Sequence, residues 1–136
     1  MVLSNDRREL SRLADALEQF RRRWRVSEDD AANINVILDE LINNIINYAY
    51  ADAGVHQIAV SVRLDGDLAT IVVEDDGRPF NPLDAAPPDL DLPIEERPVG
   101  GLGIFLVRSI ANSVEYSRVA GKNIMTATKR VNVEPS

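Results

Sequence analysis

Glu40 and Asn44 stand four residues apart in the stretch ELINNIINYAY, residues 40–50. On a helix that spacing puts both side chains on one face, one turn apart. A carboxylate there can act as a base or hold a water. A neutral amide oxygen is a hard ligand of the kind Mg²⁺ takes, because that ion prefers oxygen and keeps several waters. With Asn33 and Asn47 the pair forms a polar strip beside an apolar one. A solvated helix face would also explain the strip. Asn is a weaker helix former than Lys or Glu, however, so Asn43, Asn44 and Asn47 together are a poor choice for such a face.

Three further clusters carry possible chemistry. Asp75-Asp76-Gly77 ends an apolar strand. A carboxylate there can accept a hydrogen bond from a ligand's amino group, and Gly77 admits close approach of ligand or backbone. An ordinary acidic turn has the same composition. Gly100-Gly101-Leu102-Gly103 opens an apolar helix. Backbone N–H groups at a helix start attract anions, and glycines clear space for phosphate oxygens; a hinge before a helix would look alike. Gly121-Lys122-Asn123 enters the last strand, as a polar group near a phosphate or as a plain hairpin turn. There is no Walker A motif and no complete G-x-G-x-x-G.

The elements that must hold these residues follow from periodicity. Residues 6–25 predict an amphipathic helix with Leu10, Leu13, Leu17 and Phe20 at helical spacing. MVLS ahead of it suits a short strand. Ser27 is a natural N-cap, with Glu28, Asp29 and Asp30 in the first turn. The second helix then runs to about Tyr50. Ile58, Val60, Val62 and Leu64 alternate, Asp65-Gly66 turns, and Leu68 to Val73 returns. Residues 81–99, rich in Pro, Asp and Leu, form a loop too long for a plain connection. A helix with Ile104, Val107, Ile110 and Ala111 facing inward comes next. Two strands around Ala120-Gly121-Lys122 end the chain. The order α, α, β, β, loop, α, β, β predicts an α+β two-layer sandwich with its helices on one face of the sheet.

Bulk composition narrows the function. The 136 residues suit one domain, 1–136. A net charge of −7 argues against non-specific nucleic-acid binding and favours a partner with basic surface. No cysteine is present and His56 is the only histidine. That excludes disulfides, Cys- or His-rich metal sites and a His-based triad within one chain. No apolar run reaches the ~18–20 residues that cross a bilayer. The N-terminus lacks a signal pattern, so a cytoplasmic protein is expected.

In order and spacing the clusters resemble the nucleotide site of the GHKL ATPase superfamily, which includes gyrase and the histidine kinases. ELINN looks like its N box, DDGRPF like its first glycine box and GGLG like its second. E-L-x-N-N-x-x-x-Y-A-Y, V-E-D-D-G-x-P-F-x-P-L, G-G-L-G-I-x-L-V and G-K-N-I-x-x-x-x-K resemble the bacterial anti-sigma-factor serine kinase branch, over residues 10–131. The resemblance implies a Bergerat fold with a mixed, mostly antiparallel sheet. It implies ATP and Mg²⁺ as cofactors, with Glu40 as catalytic base and Asn44 as Mg²⁺ ligand. Asp75 would receive the adenine amino group, with Gly77 under the ring. Gly101, Leu102 and Gly103 would wrap the phosphates, Asn123 would lie near the nucleotide, and residues 83–99 would be the ATP lid. Tyr48 stands where the family often has His, and Asn81 where it often has Asp. The implied activity is an ATP-dependent protein-serine/threonine kinase that phosphorylates a STAS-type anti-anti-sigma protein and sequesters a sigma factor, as a homodimer. A non-catalytic ATP-binding module is the alternative. The ATPase half of a sensor kinase is disfavoured, because no His-bearing dimerisation helix precedes the domain. Arg21-Arg22-Arg23-Trp24-Arg25 is either a docking surface or the solvated end of the first helix.

Overall fold

The computed structural model describes residues 1–49, 54–84 and 101–134. These form β1 (Val2–Ser4), α1 (Glu9–Trp24), α2 (Glu28–Asn44), β2 (Gln57–Asp65), β3 (Leu68–Asp75), α3 (Gly101–Ile110), β4 (Ser113–Val119) and β5 (Lys122–Arg130). One sheet runs in the order β1-β2-β3-β5-β4, and each described pairing is antiparallel. The expected α+β sandwich is borne out.

Strand alternation decides which face is covered. Ala69, Ile71, Val73 and Asp75 of β3 are buried, and the residues between them are half-buried. Ala69, Ile71 and Val73, with Met125 and Ala127 of β5, join one core with Leu13 and Leu17 of α1, Ile34, Ile37, Leu38, Leu41 and Ile42 of α2, and Ile104 and Val107 of α3. Each fully buried aliphatic side chain contributes about 1.5–3 kcal/mol. The core therefore clamps α2 to the sheet, and Asp75 shares the helix-covered face.

The start of α2 follows its sequence. Ser27 is extended, with φ −61° and ψ 153°, and its Oγ accepts from the Asp30 N–H. The same hydroxyl donates to Asp30 Oδ2 at 2.8 Å. That oxygen also accepts from the Asn132 N–H at 2.6 Å, which ties the chain beyond β5 to the helix start. Asp30→Ala is expected to cost about 1–3 kcal/mol, because it strips a buried acceptor from two donors. Urea denaturation reads this as a lower midpoint at constant slope; an unmoved midpoint would show that the tie adds no stability.

Local chemistry shifts several boundaries. α1 begins at Glu9 rather than at residue 6 because Asp6 accepts from the Arg8 N–H at 2.9 Å, a side-chain turn that competes with helix. The Arg8 guanidinium also holds the Asp6 carboxyl down to about 2. α2 gives way at Ile45–Ala49 to a wider π-helical turn, which apolar periodicity does not distinguish from α-helix. The first hairpin loop is Gly66-Asp67, since Asp65 pairs with Leu68. Gly66 has φ +61°, as the first position of a type II′ turn requires. In the second hairpin Ala120 and Gly121 both have positive φ, 52° and 78°, and Lys122 already belongs to β5.

Candidate functional site

Asp75 is the last residue of β3 and only 3% exposed. Its Oδ1 accepts from the Gly77 N–H at 2.8 Å and from Asn123 Nδ2 at 3.1 Å. Burial pushes its carboxyl pKa up; the bonds from Asn123 and Gly77 oppose that rise, Asp76 adds to it, and Arg118 opposes it. The end of α2 approaches this corner closely. A Cβ on Gly77 would lie 2.5 Å from the Ala49 carbonyl oxygen and 2.9 Å from Ala49 Cβ. Arg78 donates its N–H to the Ala49 carbonyl at 2.9 Å and its Nε to the Tyr48 carbonyl at 3.0 Å. The glycine therefore serves backbone approach first. Gly77→Ala is expected to cost about 1–3 kcal/mol by overpacking, seen as a lower melting temperature; an unchanged melt would show that the corner yields freely.

Glu40 and Asn44 lie on α2, and Glu40 faces the start of α3. A Cβ on Gly103 would lie 2.4 Å from Glu40 Oε2, so the glycine is the space the carboxylate occupies. Among the described residues no cation pairs with Glu40. Asn44 is 6% exposed, and its Nδ2 is the one buried side-chain polar atom without a hydrogen-bond partner among the described residues. An unmet buried donor costs about 1–3 kcal/mol. A half-turn about the side chain's last bond exchanges the two ends of the amide, so the group can offer an N–H to a phosphate or its oxygen to a cation. Mg²⁺ needs few protein ligands when phosphate oxygens and waters supply the rest. One amide oxygen beside a carboxylate fits that donor set. No group of three or more His, Asp or Glu suited to a metal occurs among the described residues.

Asn123 is 2% exposed and wholly engaged within the protein. Nδ2 donates to Asp75 and, at 2.8 Å, to the Arg78 carbonyl. Oδ1 accepts from the Phe80 N–H at 3.2 Å, from the Tyr116 hydroxyl, and from Arg118 at 3.1 Å. The two turns of sequence that carry Asp75 and Asn123 thus meet, as the register Asp75↔Asn123 requires. Gly101, Leu102 and Gly103 form the first turn of α3. The lid expected over 83–99 lies, past Asp84, outside the described residues. Tyr48 packs its ring on Phe80 at 5.7 Å between centroids, and Asn81 caps the short turn Pro82–Asp84 through Leu83 N–H. Arg7 binds the Asn47 amide oxygen, so Asn47 serves the N-terminal loop.

Sequence reasoning missed Tyr116 and Arg118. The signal existed: once Ala120-Gly121 is the turn, Val119 pairs with Lys122 and Arg118 falls opposite Asn123. In the basic cluster Arg21 and Arg22 both bind Glu18, and Arg23 stacks over Trp24 at 5.4 Å. An apolar cavity of about 290 Å³ between α1 and β2, lined by Leu13, Phe20 and Val60 among others, lies away from these groups. No described helix is long and apolar enough to cross a membrane.

The sequence pattern of the family described as "Histidine kinase-like ATPase domain" matches residues 3–129. The serine-protein kinase RsbW of Halalkalibacterium halodurans is 32% identical over 98 residues, covering 68% of this chain and 59% of the relative. The serine/threonine-protein kinase BtrW of Bordetella bronchiseptica is 27% identical over 112 residues, 82% of this chain and 79% of the relative. The chain thus spans about three fifths of the RsbW relative's length. Among solved structures, the RsbU and RsbW domains of Rv1364c from Mycobacterium tuberculosis superpose with TM-score 0.63 at 16% identity, covering 100% of this chain and 34% of that one. The histidine kinase domain of the blue-light-activated kinase EL346 from Erythrobacter litoralis gives 0.51 at 20% identity, with 90% and 59% covered. At those identities the likeness is one of fold.

Proposed function

The chain belongs to the histidine kinase-like ATPase domain family, and from that premise we propose that it binds Mg-ATP and phosphorylates a serine of a STAS-type anti-anti-sigma protein. The same domain, as a homodimer, would hold a sigma factor until the STAS protein competes for it. The observation that carries the reading is the meeting of the Glu40 carboxylate, which pairs with no cation among the described residues, with Gly103 at the start of α3, one helical turn from Asn44, whose buried Nδ2 lacks a hydrogen-bond partner among them. A carboxylate at a helix N-terminus, one turn from an amide N–H₂ that lacks a partner among the described residues, suits one half of a phosphoryl-transfer site whose other half would be the nucleotide. The kinase names of two relatives support the reaction class.

In this reading Asp75 accepts the adenine amino group on Oδ2, since Oδ1 already serves Gly77 and Asn123. Asn44 would hold the metal with its amide oxygen. Mg²⁺, when bound, neutralises charge on the phosphates. Glu40 orients the serine hydroxyl and takes its proton as the oxygen bonds to the γ-phosphorus. The bond to the β–γ bridging oxygen breaks and ADP leaves. Most of the rate comes from positioning and charge stabilisation, as in phosphoryl transfer generally.

The test is binding and transfer measured together. Calorimetry with Mg-ATP, followed by incubation with γ-labelled ATP and a panel of purified STAS-domain proteins, is expected to give nucleotide binding and label on one of them. Binding of ATP with no label on any STAS protein would favour a nucleotide-gated module over a kinase.

A further inference from the structure

Asn123 cannot contact a nucleotide without giving up a bond, because both ends of its amide are spent. Its orientation is fixed by chemistry. On one side lie a carboxylate and a carbonyl, which only accept; on the other lie the Phe80 N–H and a guanidinium, which only donate. The amide is thus a relay between β4 and the Asp75 corner. Arg118 reaches it from β4 and spans two acceptors, Asn123 Oδ1 at 3.1 Å and the Gly77 carbonyl at 2.7 Å. Gly77 is thereby held at both ends, its N–H by Asp75 and its carbonyl by Arg118. Tyr116, two residues before Arg118 on the same face of β4, gives its hydroxyl to the same Asn123 oxygen.

We infer that Arg118, assisted by Tyr116, is a positioning residue for nucleotide binding: acting through Asn123 and the Gly77 carbonyl, it fixes Asp75, given Asp75 as the adenine acceptor proposed above. Arg118 is also the cation beside that carboxyl. Asp76, which pairs with His56 at 3.6 Å, works against ionisation of Asp75, and Arg118 works for it. Arg78 uses its Nε on the Tyr48 carbonyl, and Lys122 pairs with Glu74 at 3.7 Å. Arg118 belongs to an exposed strand at the sheet edge, so its removal leaves the core intact.

The experiment compares wild type with Arg118→Met, Arg118→Lys, Tyr116→Phe and Asp75→Asn, measuring ATP affinity across pH beside the melting temperature of the nucleotide-free protein. Arg118→Met is expected to weaken ATP about 10-fold, as loss of a charged hydrogen-bonding group would. The acid limb of the affinity profile should move to higher pH, because the acceptor is ionised less readily without its cation. Arg118→Lys should restore the limb, and Tyr116→Phe should weaken ATP by a smaller factor, about 3-fold. Wild-type affinity and limb in Arg118→Met would overturn the role. So would a fall in affinity that tracks a lower melt with the limb unmoved. If Asp75→Asn weakens ATP while Arg118→Met does not, the acceptor assignment stands and the positioning role falls. If Asp75→Asn leaves affinity unchanged, both fall.

Discussion

Glu40→Gln should bind ATP and fail to transfer its phosphoryl group. Gln keeps the shape and the hydrogen-bonding reach of Glu, so the packing against Gly103 is preserved. It has no proton affinity in the useful range and cannot take the hydroxyl proton. Loss of a general base lowers rate by about 10²–10⁴-fold. The substitution also removes a negative charge from the start of α3, where phosphates would come, so affinity should hold or rise. Single-turnover transfer and calorimetry on the same preparation separate the two quantities. Equal loss of binding and transfer would assign Glu40 to the architecture of the pocket. Unchanged transfer would remove it from the chemistry.

Asp75→Asn is expected to have the second large effect, and of a different kind. Replacing the carboxylate by an amide puts an N–H₂ where an acceptor for the adenine amino group is needed. Losing a hydrogen bond to a charged group costs about 1.5–3 kcal/mol, on the order of 10–100-fold in affinity. Stability should move the other way. The carboxyl pKa of Asp75 is raised in the fold, chiefly by burial. For an acid so raised, the neutral form contributes its full stability below the unfolded-state value, and that contribution is lost as pH rises through the folded value. Asn carries no charge at any pH and still offers an oxygen to Gly77 and Asn123. The nucleotide-free variant should therefore be at least as stable as wild type at neutral pH, with the difference closing toward acid pH. Urea titrations at two pH values read this directly. A variant that loses both ATP affinity and stability at neutral pH would show that the carboxylate is structural.

The legible part of the molecule was the part governed by local rules. Ser27 with Asp30, the alternation through β3 and the glycine at position 66 each have one cheap conformation, and the chain adopts it. Glu40 and Gly103 are sixty-three positions apart in the chain and still meet, because α2 and α3 bury their apolar stripes in one core. What stayed hidden depends on context. The π-helical turn at Ile45–Ala49 has ordinary helical periodicity, and the contacts at its end, the Arg78 N–H on the Ala49 carbonyl and the close approach of Gly77, come from residues about thirty positions away. Asn123 looked like a ligand in a turn; only the sheet register shows that its amide is already engaged by Asp75, Tyr116 and Arg118. The sequence reads Gly77 as admitting a ligand or backbone, and the close approach of Ala49 bears out the backbone half of that reading.

The most direct measurement is site-resolved mass spectrometry of a STAS-domain protein after incubation with this protein, Mg²⁺ and ATP. The kinase reading predicts one phosphoryl group on a serine of the STAS protein, present with wild type and absent with Glu40→Gln. An unmodified STAS protein, under conditions where calorimetry shows ATP bound, would contradict it.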